Sequence, residues 1–260
     1  MYSEKQRYCS PLLDQQVNAI TLEITKGLYG YYQKPIESLE NKNAVAFSLH
    51  NFAVRVNNAS ESYFADFLKE GQEMPRGKLY LRPVVGHSID ESVRWVRTRF
   101  SEMFIDGCYG FILCLRPKGD KPLFLAATSF LLANHSTDYS PWLRFHYNDL
   151  PTPVVVQLQA QHDTTNFTKT EPERKKLADD TLSRFRWEHA LLALDVQWAR
   201  SVGLPAIHVL PGSQNHYFNY FKGKGREKSV KIRYDISARR CGFKQDDEGL
   251  YTLELPRVIP

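Results

Sequence analysis

The chain has no apolar run near the roughly 20 residues needed to span a bilayer, and its opening Met1-Tyr-Ser-Glu-Lys lacks the basic-then-apolar layout of a secretory signal. Cysteine is scarce: four residues, at positions 9, 108, 114 and 241, with no CxxC pair. Cys108 and Cys114 bracket an apolar run, which suits buried thiols rather than zinc ligands, and a reducing cytoplasm is the expected compartment. HExxH and GxxxxGK[ST] are both missing, so no metal and no P-loop are expected. Repeats and low-complexity tracts are absent. A one-sided charge is lacking too, since 34 basic against 29 acidic residues leave only +5. That balance permits an acidic or phosphate-bearing ligand without the dense basic footprint of a nucleic-acid binder, and nucleic acid is not an expected partner. One local absence matters more: no glycine occurs between Asp163 and Gly203.

What is present is ordinary for a globular protein. Of 260 residues, 42% are hydrophobic and 24% charged, enough to bury a sizeable core as one large domain or one domain with an extension. Leu12, Leu13, Val17, Ile20, Ile24 and Leu28 recur at helical spacing over 11–28. Val45, Phe47 and Leu49 alternate, so 44–56 reads as strand-like. Ser60 is placed to cap a short helix through Leu68, and Gly71 with Met74-Pro-Arg-Gly77 marks a break. The boundary is set there: an extension over 1–77 and a main domain over 78–260.

Beyond the break, strands and helices alternate. Lys78–Val85 is a strand, and Asp90 is placed to cap a helix bearing Val93, Val96, Phe100 and Phe104. Tyr109–Arg116 and Leu123–Ala133 flank a Pro-Lys-Gly-Asp-Lys-Pro turn and read as a hairpin. Pro153–Ala160 is a further strand. Residues 171–202 read as one long helix, ended by Gly203. Ala206–Leu210 is a buried-type strand, Ile232–Cys241 a short helix, and Tyr251–Leu255 a last strand. The order β-α-β-β-β-α-β-α-β implies an α/β fold with a mixed sheet.

Four patches give this order a family likeness. They are Leu79-Tyr-Leu-Arg-Pro-Val-Val before Asp90, the hairpin over 109–133, Leu191-Leu-Ala-Leu-Asp-Val-Gln-Trp-Ala-Arg-Ser-Val-Gly, and Ala238-Arg-Arg-Cys-Gly-Phe243 before a closing strand. Together they resemble the GNAT N-acetyltransferase superfamily over roughly 180 residues. The resemblance implies a GNAT-like fold, an acyl-CoA donor (acetyl-CoA or another) and a small-molecule or protein amine as acceptor. It also implies that the fourth and fifth strands, here 154–160 and 206–210, lie parallel and splay apart. A pantetheine arm then bonds strand amides in the gap, and the pyrophosphate sits at the N-terminus of the next helix.

Residue by residue, the resemblance points to Gln159, Arg184, Arg186 and Asn215 as cofactor contacts. Tyr234 is a candidate substitute for the family's acid, and His162-Asp163, just after the fourth strand, is a separate candidate base because histidine titrates near neutrality. Two departures stand out. The expected glycine-rich turn falls on Ser183-Arg-Phe-Arg-Trp-Glu-His189, without glycine. The family's tyrosine position, four before Gly242, is Ala238, and Tyr234 lies one helical turn earlier. Three readings therefore stay open: an acyltransferase, a GNAT-fold interaction module whose gap is filled by Phe185 or Trp187, and nucleotide or nucleic-acid binding by a flexible cationic lobe over 222–233. In that lobe Lys222, Lys224, Arg226, Lys228, Lys231 and Arg233 surround Gly223 and Gly225. His208, alternating with Ile207 and Val209, reads as a histidine on the opposite face of its strand.

Overall fold

The computed structural model describes residues 42–85, 94–98, 101–105, 109–132, 153–160, 172–215, 218, 223, 225, 227–247 and 249–255. Two helices come first, α1 (Lys42–Asn58) and α2 (Ser60–Ala65). Strands β1 (Lys78–Val85), β2 (Arg94–Thr98), β3 (Ser101–Ile105), β4 (Tyr109–Arg116), β5 (Leu123–Leu132) and β6 (Pro153–Ala160) follow. Helices α3 (Pro172–Arg184) and α4 (Trp187–Ser201) lead into β7 (Ala206–Val209). A helical segment then runs through α5 (Glu227–Lys231), a π-helical turn (Ile232–Ile236) and α6 (Ser237–Arg240), before β8 (Lys244–Gln245) and β9 (Tyr251–Glu254).

Seven strands form one mixed sheet in the order β1-β4-β5-β6-β7-β9-β8, and β2 pairs with β3 separately. The sequence explains the centre. β4 is buried at all but its last residue and β5 along its whole length, as near-continuous apolar runs must be when both faces are covered. β6 and β7 pair parallel, which demands a crossover, and α3 and α4 supply it. The main core lies between the sheet and the helices. Val45, Leu49 and Phe52 of α1 and Leu191, Leu194 and Trp198 of α4 meet β4, β5 and β6 there. Trp198 stacks on Phe130 at 4.7 Å between ring centroids. The opposite face carries a smaller cluster of Val84, Ile112, Cys114, Phe124 and Ala127.

Four readings of the sequence are corrected. Residues 44–56 are helical, not strand-like: Val45, Leu49, Phe52, Ala53 and Val56 are buried at helical spacing, while Phe47, which suggested alternation, is 56% exposed. Asn57 locks this helix onto β1, accepting from Leu81 N at 2.6 Å and donating to Leu81 O at 2.9 Å. The helix expected after Asp90 is instead the antiparallel β2–β3 pair, closed by Thr98↔Ser101; Asp90 itself lies outside the described residues. Trp95, Val96 and Thr98, then Phe104 and Ile105, are residue types enriched in strands. The single helix over 171–202 is two, parted at Phe185 and Arg186. The cationic lobe is helical from Glu227 onward, whereas Lys222, Lys224 and Arg226 lie outside the described residues, as do residues 11–28.

Among the described residues no helix is long and apolar enough to cross a membrane. β4 and β5 approach so closely at Gly110 that an added Cβ would lie 2.1 Å from the Thr128 carbonyl oxygen. Gly110→Ala is therefore expected to push the two strands apart and cost about 1–3 kcal/mol, measured by urea unfolding. An unchanged midpoint would show that the contact relaxes freely.

Candidate functional site: a gap between two parallel strands

β6 carries one residue more than its partner. Ser129 pairs with Gln157 and Phe130 with Val155, so Val156 is a bulge that bends the strand and increases its twist. On the other side, β7 pairs with β6 only at Val154↔His208 and Val155↔Val209. Leu210 N adds a bond to Val155 O at 3.0 Å, and the chain then turns away through Pro211–Asn215. β6 continues to Ala160, so the sheet opens beside its second half.

A buried backbone N–H on such an edge must find an acceptor. Leu158 N donates to the phenol oxygen of Tyr234 at 2.9 Å. Tyr234 is 2% exposed and projects from the π-helical turn, a distortion that often accompanies functional sites. That turn is pinned to the loop leaving β7. Gly212 N donates to Asp235 Oδ1 at 2.7 Å, and a Cβ on Gly212 would lie 2.7 Å from Lys231 Cα. Only glycine allows this approach, and through it the exit of β7 fixes the height of Tyr234 in the gap.

The faces of β6 differ. Leu158 and Ala160 join the main core with Tyr234. Gln157 and Gln159 point to the other face, in rows with Ser129 and Ala127. Ser129 Oγ donates to Gln157 Oε1 at 2.9 Å, and Gln157 Nε2 donates to Gln159 Oε1 at 2.5 Å. The gap thus has a phenol on one side and buried amides on the other.

The junction of α3 and α4 packs against the segment after α2. Leu68 bridges to Phe185, Lys69 N donates to Arg184 O at 2.8 Å, and Arg186 N donates to Phe67 O at 2.9 Å. Basic groups gather there. Arg233 lies over the Trp187 ring at 5.5 Å. Burial, then Arg240 and Arg186, lower the pKa of His189 to about 4. Beside this junction an open groove of about 500 Å³ is lined by Lys69, Lys175, Asp179, Leu182, Ser183 and Trp187.

On the core face, beside Thr128 (the register partner of Leu158), Asp195 of α4 is wholly buried. Thr128 Oγ1 donates to its Oδ2 at 2.5 Å, and its Oδ1 has no hydrogen-bond partner. Burial holds its pKa well above the usual carboxylate range, against the smaller opposing effect of Thr128. Tyr63, near the same carboxyl, is likewise raised, first by burial and then by Asp195.

Of the residues singled out in the sequence, Tyr234 is brought to the gap and Gln159 borders it. Asn215 is buried in the turn after β7, its N–H donating to Pro211 O at 3.1 Å. Arg186 begins α4, while Arg184 is drawn aside, Nη1 donating to the Glu73 carbonyl at 3.4 Å. His162 and Asp163 lie outside the described residues. Phe185 and Trp187 are both buried in the main core, and the Tyr234 phenol is the side chain that meets Leu158 N. Leu158, Gln157 and Ser129 were missed, although the glutamines alternate in an otherwise apolar PVVVQLQA and that period marks a polar face. Among the described residues no group of three His, Cys, Asp or Glu could hold a metal ion.

Asp195 and His189 give opposite pH signatures. The folded pKa of Asp195 is raised, so its contribution is full below the unfolded carboxylate value near 4 and is lost as pH rises toward the folded one. Asp195→Asn should therefore gain stability relative to wild type as pH increases from about 4. The folded pKa of His189 is lowered to about 4, so its contribution is present above the unfolded value near 6.5 and fades as pH falls between the two. His189→Gln should flatten that decline. Urea midpoints between pH 4 and 8 read both effects, and parallel pH curves for variants and wild type would contradict them.

Compared with known proteins, the chain matches no family model, no curated protein and no solved structure.

Proposed function

We propose that this protein is a divergent GNAT-like N-acyltransferase that moves an acyl group from acyl-CoA to an amine. The observation that carries the reading is the β6–β7 gap: adjacent parallel strands that part after two paired positions, with an inward N–H at Leu158. The α3–α4 crossover between those strands and the antiparallel β4–β5 pair agree with the resemblance seen in the sequence. Acyl-CoA supplies an activated thioester. The chain supplies a phenol fixed before any ligand arrives, held by the Leu158 N–H that donates to its oxygen. That bond keeps the phenol against the half of β6 that β7 leaves unpaired. That geometry fits Tyr234 as the acid that protonates the leaving thiolate, although it lies one helical turn from the family's usual position.

The residues at the pyrophosphate end fit less well. Where a glycine-rich turn is expected, α4 begins against Phe67, Leu68 and Lys69. Arg186, Arg233 and Arg240 supply the positive charge, by Coulomb attraction rather than by close backbone approach. This closure favours the second reading, a GNAT-like module that binds a partner without acyl transfer.

Titration with acetyl-CoA separates the two. On the enzyme reading, cofactor at 100 times its dissociation constant stabilises the fold by about 2.7 kcal/mol, and Tyr234→Phe lowers kcat by about 100-fold with little change in acetyl-CoA affinity. No thermal shift at millimolar acetyl-CoA would leave the non-catalytic module.

A further inference from the structure

The helical run from Glu227 to Arg240 has two unlike sides. Val230, Tyr234, Ser237 and Ala238 are buried at helical spacing and turn toward the sheet. Lys228, Lys231, Ile232, Arg239 and Arg240 are exposed, and exposed Lys244 on the edge strand β8 continues them. From Glu227 to Lys244 the sequence holds six basic residues and two acidic ones. Both acids are engaged by backbone: Glu227 accepts from Gly223 N, and Asp235 accepts from Gly212 N at 2.7 Å.

The exposed cations thus lack counter-charge. Among the described residues Lys228, Lys231, Arg239, Arg240 and Lys244 form no ion pair. Lys231 lies over the Phe218 ring at 5.4 Å, and Arg239 Nε donates to the Asp235 carbonyl at 3.0 Å, so both are held with their charge retained. Within this face stands Ile232, 46% exposed, with Lys228 one turn before it and Lys231 beside it. A lone exposed isoleucine is ordinary. One set among uncompensated cations has the make-up of a small interface, an apolar centre inside a polar rim.

The partner's chemistry follows from both features. Phosphate backbones attract cations but offer an isoleucine nothing, and single-strand binders stack bases on aromatic rings. A membrane surface needs a broad apolar stripe, and this face exposes one large apolar side chain. Carboxylates arranged around one apolar side chain complement the cations and Ile232 together.

We propose that the outer face of this helix, through Lys228, Lys231, Ile232 and Lys244, docks an acidic peptide segment of a partner protein that sets one apolar side chain against Ile232. The inference does not rest on acyl transfer. Tyr234 leaves the buried side of the same helix, so the docking face and the gap lie on opposite sides of it.

The test uses the full chain and four probes: a labelled peptide of glutamates around one leucine, the same peptide with serine for leucine, a single-stranded DNA oligonucleotide, and phosphatidylserine vesicles. Fluorescence anisotropy reads the first three and co-sedimentation the last. The leucine peptide should bind tightest, about 10-fold tighter than the serine peptide, and both should weaken with salt. Lys228→Glu with Lys231→Glu and Lys244→Glu should weaken the leucine peptide by about 10-fold or more. The same charge change at exposed Lys78, Lys118 and Lys176, on other surfaces, should have little effect. Ile232→Ser should erase the leucine preference and leave the serine peptide unaffected. Thermal melts establish that each variant folds, and Lys228→Glu with Lys244→Glu serves if the triple variant does not. Absence of peptide binding, tighter binding of DNA or vesicles, equal loss from the control substitutions, or a leucine preference that survives Ile232→Ser would each overturn the proposal.

Discussion

β6 and β7 run side by side in the same direction but share only two paired positions. The surroundings of the gap follow from that short partnership. A parallel pair needs a long crossover, which brings α3 and α4 across the sheet and stacks Trp198 on Phe130. The extra residue at Val156 turns β6 just where β7 departs, leaving Leu158 N–H inside the protein without a strand to receive it. An unpaired buried donor costs on the order of 1–3 kcal/mol. The Tyr234 phenol removes that cost, and the π-helical turn puts the phenol at the right height. A structural need of the backbone and a chemically useful pair of groups thus coincide at one point.

Polar groups are distributed around that point with a consistent logic. Ser129, Gln157 and Gln159 satisfy one another on one face, so the amides are buried at modest cost. Tyr234 approaches from the core side. His208, Thr252 and Asp246 form a chain on the face of the glutamines, one strand over. Asp195 stands apart: with one oxygen bonded to Thr128 and the other without a partner, it lowers stability wherever it must ionise. It lies on the core face that also carries Tyr234, and its partner Thr128 is the register partner of Leu158, yet its burial belongs to the energetics of the core.

Much of the strand framework was legible because central strands are buried on both faces and read as unbroken apolar runs. Lys78–Val85, Tyr109–Arg116, Pro153–Ala160 and Ala206–Leu210 all stand close to where the sequence put them. The errors have different causes. Over 44–56 the same residues satisfy both periods for a few positions, and only burial separates exposed Phe47 from buried Val45 and Leu49. At 185–186 no glycine or proline announces a break. It exists because Phe67, Leu68 and Lys69 compete for the backbone there, a contact more than a hundred residues distant in sequence. Tyr234 was a candidate only by counting from Gly242, and counting gave its rank but not its partner.

The sequence by itself determined the mixed α/β class, the apolar strands of the central sheet, the helix ending before Gly203 and the helical segment that carries Tyr234. These are local matters, settled by the spacing of apolar residues and by glycine. The tertiary structure decided the rest: which strands are neighbours, where β6 and β7 part, that Leu158 N–H meets a phenol, and that His208 is aligned by a threonine and an aspartate from the far end of the chain. Those outcomes depend on hydrogen bonds between residues 44 and 76 positions apart, whose geometry is fixed only once the sheet has closed. A one-dimensional pattern carries no record of it.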